Sequence, residues 1–280
     1  MRGPAEPADS LPVAAHTQPT KEYGINKGRY FVHPSNSISY LALNTSRGIF
    51  KDPKIRRAVA YAVDRPALTR LGGLNAGTPN EQLLPPGIPG YRNADLYPVD
   101  GPNIAKAKAL LGGKTGKVVM YTSNDEQGRN TRQLVQANLK AISLDVEVKP
   151  FTFAVLIDKT GTRGDPFDMY WIGWFADYPD PYDFINILLD GRTIGPKNNI
   201  NTAYFNVSAY NRKMDAAARL TGDARYRAYG SLDIDITRNE SPLVVLFNSN
   251  VREFISDKVG CPTYSNAWRG LNIVMLCPKR

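Results

Sequence analysis

Strand-like and helix-like periods alternate between Lys117 and Trp174, and this alternation narrows the chain to an α/β fold. Lys117 to Thr122 reads as a strand. Glu126 to Ala141 follows as a helix whose inner face runs through Leu134, Val135, Asn138 and Leu139. Leu144 to Phe151 alternates as a second strand, with Val146 and Val148 on one face. A short helix, Ala154 to Lys159, leads past Gly161 and Gly164 into the strand Phe167 to Trp174. A strand–helix–strand–helix–strand run implies a mixed or parallel sheet covered by helices.

The flanking regions fit the same class. Ser39 to Asn44 alternates as a strand, and Gly28-Arg-Tyr-Phe-Val contains another in an otherwise aperiodic opening segment. Asp52-Pro53 places a cap acceptor and a φ-fixed residue before Ile55, Val59, Ala62 and Val63, which share one helical face. This helix is expected to reach about Arg70 and stop at Gly72-Gly73, with Asp64 pairing locally or capping the following turn. Gly77 to Pro102 is a proline-rich loop, and Asn103 to Leu111 a short helix. Tyr182 to Leu189 is helical. Ser208 and Asp223 are expected N-caps of helices over 209–220 and 224–239. Leu243 to Phe247 and Val251 to Phe254 read as separate strands.

Composition limits the function classes. The formal net charge is +9, from 35 Lys+Arg against 26 Asp+Glu, but the basic residues are scattered and no nucleic-acid module is present. The densest basic pair, Arg56-Arg57, sits inside the amphipathic helix and reads as architectural. No apolar run approaches bilayer length, and Met1 to Thr20 is polar and Pro-rich without the apolar stretch of a secretory signal. The two histidines, His16 and His33, and the two cysteines, Cys261 and Cys277, show no zinc-site spacing. A disulfide between the cysteines suits an exported protein and two buried thiols suit either compartment, so both readings stay open.

Three stretches in order resemble one family. The first is Leu43-Asn44-Thr45-Ser46 followed by the helix containing Arg57-Ala58-Val59 and Ala62-Val63-Asp64-Arg65. The second is Gly77-Thr-Pro79 with Leu84-Pro-Pro-Gly-Ile-Pro-Gly-Tyr91. The third is Trp171-Ile-Gly-Trp-Phe-Ala-Asp-Tyr-Pro-Asp-Pro-Tyr-Asp-Phe184, with the Asn-rich loop and Tyr210-Asn-Arg-Lys-Met-Asp215 after it. Collinear over about residues 38 to 260, they resemble the family 5 bacterial extracellular solute-binding proteins, the dipeptide, oligopeptide and nickel binders of ABC importers.

The resemblance implies an α/β, type II periplasmic-binding-protein-like lobe, a mixed sheet flanked by helices, forming part of a two-lobed clamp. It implies an irregular remnant or linker over 1–37, a ligand-binding lobe over 38–240 and a segment returning to the first lobe over 241–280. A chain truncated at its amino terminus is expected, because the family helix with Asp64-Arg65 follows a long first section. The implied function is capture of peptides or similar small solutes outside the cytoplasmic membrane, with permease subunits as partners. A monomer, a periplasmic or extracellular location (lipid-anchored in a full-length protein), no catalytic residue and no cofactor or metal are expected.

Within the third stretch, the family's acidic residue that pairs with a ligand α-ammonium falls on Asp177, and Gly173 and Trp174 fall on the cleft wall. Read without the family, Asp177 is a turn residue and Trp174 a core residue. Arg163 is a candidate for a ligand carboxylate, weighed against a solvated loop charge. Some oligopeptide binders carry an arginine two residues before the glycine; this chain has Trp171 there, which leaves carboxylate recognition unassigned. The rival class is a secreted hydrolase using Asp177, Asp180 and Asp183, although three acids in a Pro-containing stretch more often serve caps and turns. A third reading is a fragment that binds nothing. Asn198, Asn199 and Asn201 read equally as ligand donors or loop residues.

Overall fold

The computed structural model describes residues 5–6, 13–265 and 269–279; of the opening segment, residues 1–4 and 7–12 lie outside it. Strand β1 (Ala5–Glu6), helix α1 (Thr17–Tyr23), strand β2 (Tyr30–Pro34) and strand β3 (Ser37–Leu43) begin the chain. Helix α1 has no apolar stripe to betray it, and it accepts Pro19 because amides in a first turn need no intrahelical partner. Asp52 caps helix α2 (Pro53–Ala62) by accepting from the Lys54 amide, as the Asp-Pro pair implies.

The expected single helix over 53–70 is two helices. It breaks at Val63, and α3 (Arg65–Arg70) restarts with Asp64 as cap, its carboxylate accepting from Ala67 N at 2.8 Å. Pro66 is the reason: inside a continuous helix it would lack a donor and clash with the carbonyl of Ala62. The loop after it opens with a three-residue strand, β4 (Gly77–Pro79).

Helix α4 (Ile104–Leu111) is capped by Asn103 and ends at left-handed Gly112. Strand β5 (Gly116–Ser123), helix α5 (Glu126–Lys140), strand β6 (Leu144–Phe151), helix α6 (Phe153–Thr160) and strand β7 (Met169–Phe175) follow the predicted alternation. Helices α7 (Tyr182–Leu189), α8 (Ser208–Ala218) and α9 (Gly222–Asn239) come next. The caps expected at Ser208 and Asp223 do not form: both residues lie inside the first turn, and Val207 and Thr221 hold the cap positions without side-chain bonds. The two strands expected after 243 are one, β8 (Leu243–Ile255), thirteen residues long. The short strands β9 (Val259–Gly260), β10 (Tyr264–Ser265), β11 (Gly270–Leu271) and β12 (Cys277–Pro278) complete the chain.

The main sheet is mixed, in the order β1-β8-β3-β7-β5-β6, with β2 and β4 also paired to β8. β5 runs parallel to β6 and β7, whereas β3 is antiparallel to β7 and β8. Alternation then assigns each face its helices. Ile38, Tyr40, Ala42 and Tyr170 pack with α7, α8 and α9 on one face. Leu41, Leu43, Val118 and Met120 pack with α2, α4 and α5 on the other. Buried Arg56 is indeed architectural: it bonds the Glu240 carboxylate at 2.8 Å and the Phe50 and Glu240 carbonyls at 2.6 Å each.

Cys261 and Cys277 are joined by a disulfide, sixteen residues apart. It closes a segment with little core of its own, so the constraint on the unfolded chain is its main contribution. Replacing both cysteines by serine is expected to lower stability by about 2–3 kcal/mol, with hydrogen exchange rising first over 256–279. Unchanged protection across that segment would show that the bond constrains nothing.

Candidate functional site

β7 carries the family stretch. Its odd residues Trp171, Gly173 and Phe175 point to the face that α2 and α5 cover, but those helices do not reach the carboxyl end of the strand. The uncovered end is a groove of about 470 Å³. Its floor is made of small residues in register: Ser37 opposite Phe175 and Ser39 opposite Gly173, with Ser249 from β8 beside them. Trp171, Phe175 and Phe247 wall it, and Gln127, from the first turn of α5, stands at the rim. Clefts at the carboxyl ends of strands, beside helix amino termini, are the common ligand sites of α/β sheets.

Gly173 keeps the floor low, since a Cβ there would stand 3.3 Å from the Ile38 carbonyl. Trp171 is not free to contact a ligand through its N–H, which donates to Ser39 Oγ at 2.7 Å. Trp174 also lines the groove and is half-buried, while Phe175 and Tyr178 remain 42% and 44% exposed.

The three acids after β7 have separate fates. Asp183, in the first turn of α7, is buried; its Oδ2 accepts from Trp174 Nε1 at 3.3 Å and from the Asp177 amide at 3.0 Å. Burial pushes its pKa above the ordinary carboxylate value, against these two bonds. Asp180 accepts from Nη2 and Nε of Arg225, at 2.8 and 2.9 Å, and from Tyr182 N, which ties the start of α7. Desolvation raises its pKa, but the Arg225 and Tyr182 bonds win and hold it below the usual value. Asp177 is exposed, and its carboxylate takes no partner among the described residues. Two acids are thus spent on the turn and one is left uncommitted.

Gly173 and Trp174 share the groove, and Asp177 follows Phe175 by two residues, within ~7 Å along the backbone. Arg163 is elsewhere. It lines a second pocket of about 390 Å³ with Lys51, Thr45 and Tyr204, before the start of β7. The seven-residue strand between them spans roughly 20 Å at ~3.3 Å per residue. Asn199 and Asn201 bond Gly161, Gly195 and Phe205 backbone groups, so they staple their own loop. Sequence reasoning missed Asp183 as the anchor of the turn, and missed the serine floor. The signal for the first was an acid in a helix's first turn; the second depends on strand register.

Groups of three or more His, Cys, Asp or Glu side chains able to hold a metal are absent among the described residues. No helix among them is long and apolar enough to cross a membrane.

The mixed sheet with helices on both faces is the fold of the type II periplasmic binding proteins. It superposes on the clavulanic acid biosynthesis oligopeptide binding protein 2 with a TM-score of 0.86, at 22% identity, covering 96% of this chain and 51% of that one. The Escherichia coli murein tripeptide binding protein MppA matches at 0.78 and 19% identity, covering 96% and 53%. The family model for bacterial extracellular solute-binding proteins, family 5 Middle, matches residues 7–196, and the chain belongs to that family. Among curated relatives, heme-binding protein A of Haemophilus influenzae is 28% identical over 76% of this chain and 39% of its own length. The probable D,D-dipeptide-binding periplasmic protein DdpA of Escherichia coli K12 is 25% identical over 92% and 49%. The chain therefore spans half or less of the length of these two relatives.

Proposed function

We propose that this chain is the ligand-capturing part of the solute-binding component of an ABC importer, taking up peptides or similar small solutes outside the cytoplasmic membrane. In this reading residues 38–240 form the binding lobe and 241–280 return toward a first lobe, with permease subunits as membrane partners and the protein acting as a monomer. The Cys261–Cys277 disulfide supports an oxidising compartment.

The observation that carries the reading is a groove walled by Trp171, Trp174 and Phe175, followed two residues after Phe175 by the uncommitted Asp177 carboxylate. A ligand ammonium drawn out of water needs a counter-charge, and apolar walls strengthen the pair by excluding solvent. Asp177 supplies the charge, Trp174 a flat wall and Gly173 the room beside β3. Asp180 and Asp183 are occupied in holding the turn, so neither offers Asp177 a second free carboxylate for general acid–base work. Arg163 belongs to the other pocket, and Arg163→Ala is expected to leave peptide binding unchanged.

Calorimetric titration with a mixed pool of di- to pentapeptides tests the proposal. The wild-type chain is expected to bind and to release the peptides chemically intact. Asp177→Ala is expected to weaken binding by about tenfold or more, the loss of a charge-assisted bond worth roughly 1.5–3 kcal/mol. Equal affinity in the variant, or cleaved peptides, would refute the assignment.

A further inference from the structure

The segment closed by the disulfide does not hang free of the groove. The Tyr264 ring of β10 stacks on His33 of β2 with centroids 4.1 Å apart, and the Leu271 amide of β11 donates to Glu253 Oε1 of β8 at 2.8 Å. Arg269, immediately before β11, has φ +49°, a left-handed backbone held between these two fixed points. Its guanidinium lies over the Phe175 ring, 3.6 Å from the centroid, and lines the groove. Stacking on a ring fixes the plane of a guanidinium and leaves its N–H edge free to donate.

Further observations bear on the use of that edge. No carboxylate pairs with Arg269 among the described residues, and none lines the groove, so this cation has no protein counter-ion there. The groove's other polar lining is neutral: serines, Gln127 and Asn250. Trp171, which also walls the groove, has its N–H already given to Ser39.

We infer that Arg269 is the anion-binding residue of the groove and selects solutes bearing a carboxylate, such as the carboxy terminus of a short peptide. The inference rests on the capture reading above and adds the ligand class. The planar fork of Arg269 takes both oxygens of the carboxylate, while Phe175 and Trp174 cover the apolar part of the ligand. The disulfide acts through Arg269 by keeping the hairpin docked.

The test compares two peptide pools, di- to pentapeptides with free carboxy termini and the same peptides as carboxy-terminal amides, titrated into the wild-type chain and Arg269→Gln. N-acetyl-phenylalanine, a carboxylate without an ammonium, is the third probe. The wild-type chain is expected to prefer the acid pool by about tenfold or more. Arg269→Gln is expected to bind acids and amides alike, and to lose the N-acetyl-phenylalanine response in tryptophan fluorescence. Equal binding of acids and amides by the wild-type chain overturns this inference and leaves peptide capture standing. A preference retained in Arg269→Gln also overturns it alone. No binding of any probe to the folded wild-type chain overturns both. Because the acid–amide comparison uses the wild-type chain, it can overturn the inference even if the variant misfolds.

Discussion

Arg65→Met is expected to lower the unfolding free energy by about 3–5 kcal/mol and the melting temperature by on the order of 10 °C. Arg65 is fully buried, yet no carboxylate among the described residues is hydrogen-bonded to it. Its Nε donates to the carbonyls of Asn80 and Val245 at 3.1 and 2.9 Å, and its Nη1 to those of Ala60 and Pro98 at 2.9 and 3.0 Å. One side chain therefore joins α2, both arms of the proline-rich loop and β8. Burial pulls its pKa down to about 10, with Glu81 opposing the fall, so it stays charged at neutral pH. Methionine fills much of the volume but leaves four carbonyls without donors and Glu81 without its nearby cation. A loss below about 1 kcal/mol in urea titration would show that the loop is held by its other contacts.

The second large effect is expected at Asp233 in α9. Its carboxylate accepts from Gln82 Nε2, Leu83 N and Thr237 Oγ1 at 3.0, 3.0 and 3.2 Å, and from Leu84 N at 3.4 Å, all buried. Asp233→Ala strands these donors inside the protein and is expected to cost about 3–4 kcal/mol. The cost should depend on pH. Burial pushes the Asp233 pKa from 3.8 up to about 7, so between these values the folded chain keeps a proton that the unfolded chain releases. The group's contribution is then full below the unfolded pKa and declines as pH rises toward 7. The deficit of the variant is expected to be larger at pH 5 than at pH 8. A deficit that grows with pH would mean that the four donors hold the carboxylate ionised.

Both residues bear on how the fold is read from sequence. Asp64-Arg65 reads as architectural in the sequence, like Arg56-Arg57, but nothing in the periodicity around Arg65 or Asp233 marks either side chain as fully buried. Both have partners in the loop over 80–98, whose prolines exclude regular structure, so backbone groups of the loop are satisfied by side chains from elsewhere. The same logic decided the acids after β7. Asp177, Asp180 and Asp183 are alike in composition and spacing, and only the placement of Arg225 and Trp174 shows which one is left free. The break before α3 was missed, since one helix was expected to about Arg70, although Pro66 carried a local signal for it: a proline's missing donor acts on its own turn.

By itself, the sequence determined the local elements and their order: the strand–helix alternation over 116–175, the Asp52 cap and the stretches that place the chain in its family. These follow from side-chain period and from backbone chemistry within a few residues. Tertiary structure alone decided the groove. Ser37, Ser39, Gly173 and Ser249 form a floor because β3 pairs with β7 and β8 in one register, and Arg269 reaches Phe175 because a disulfide-closed hairpin docks on β2 and β8. Such contacts join segments far apart in the chain, and no local period encodes them.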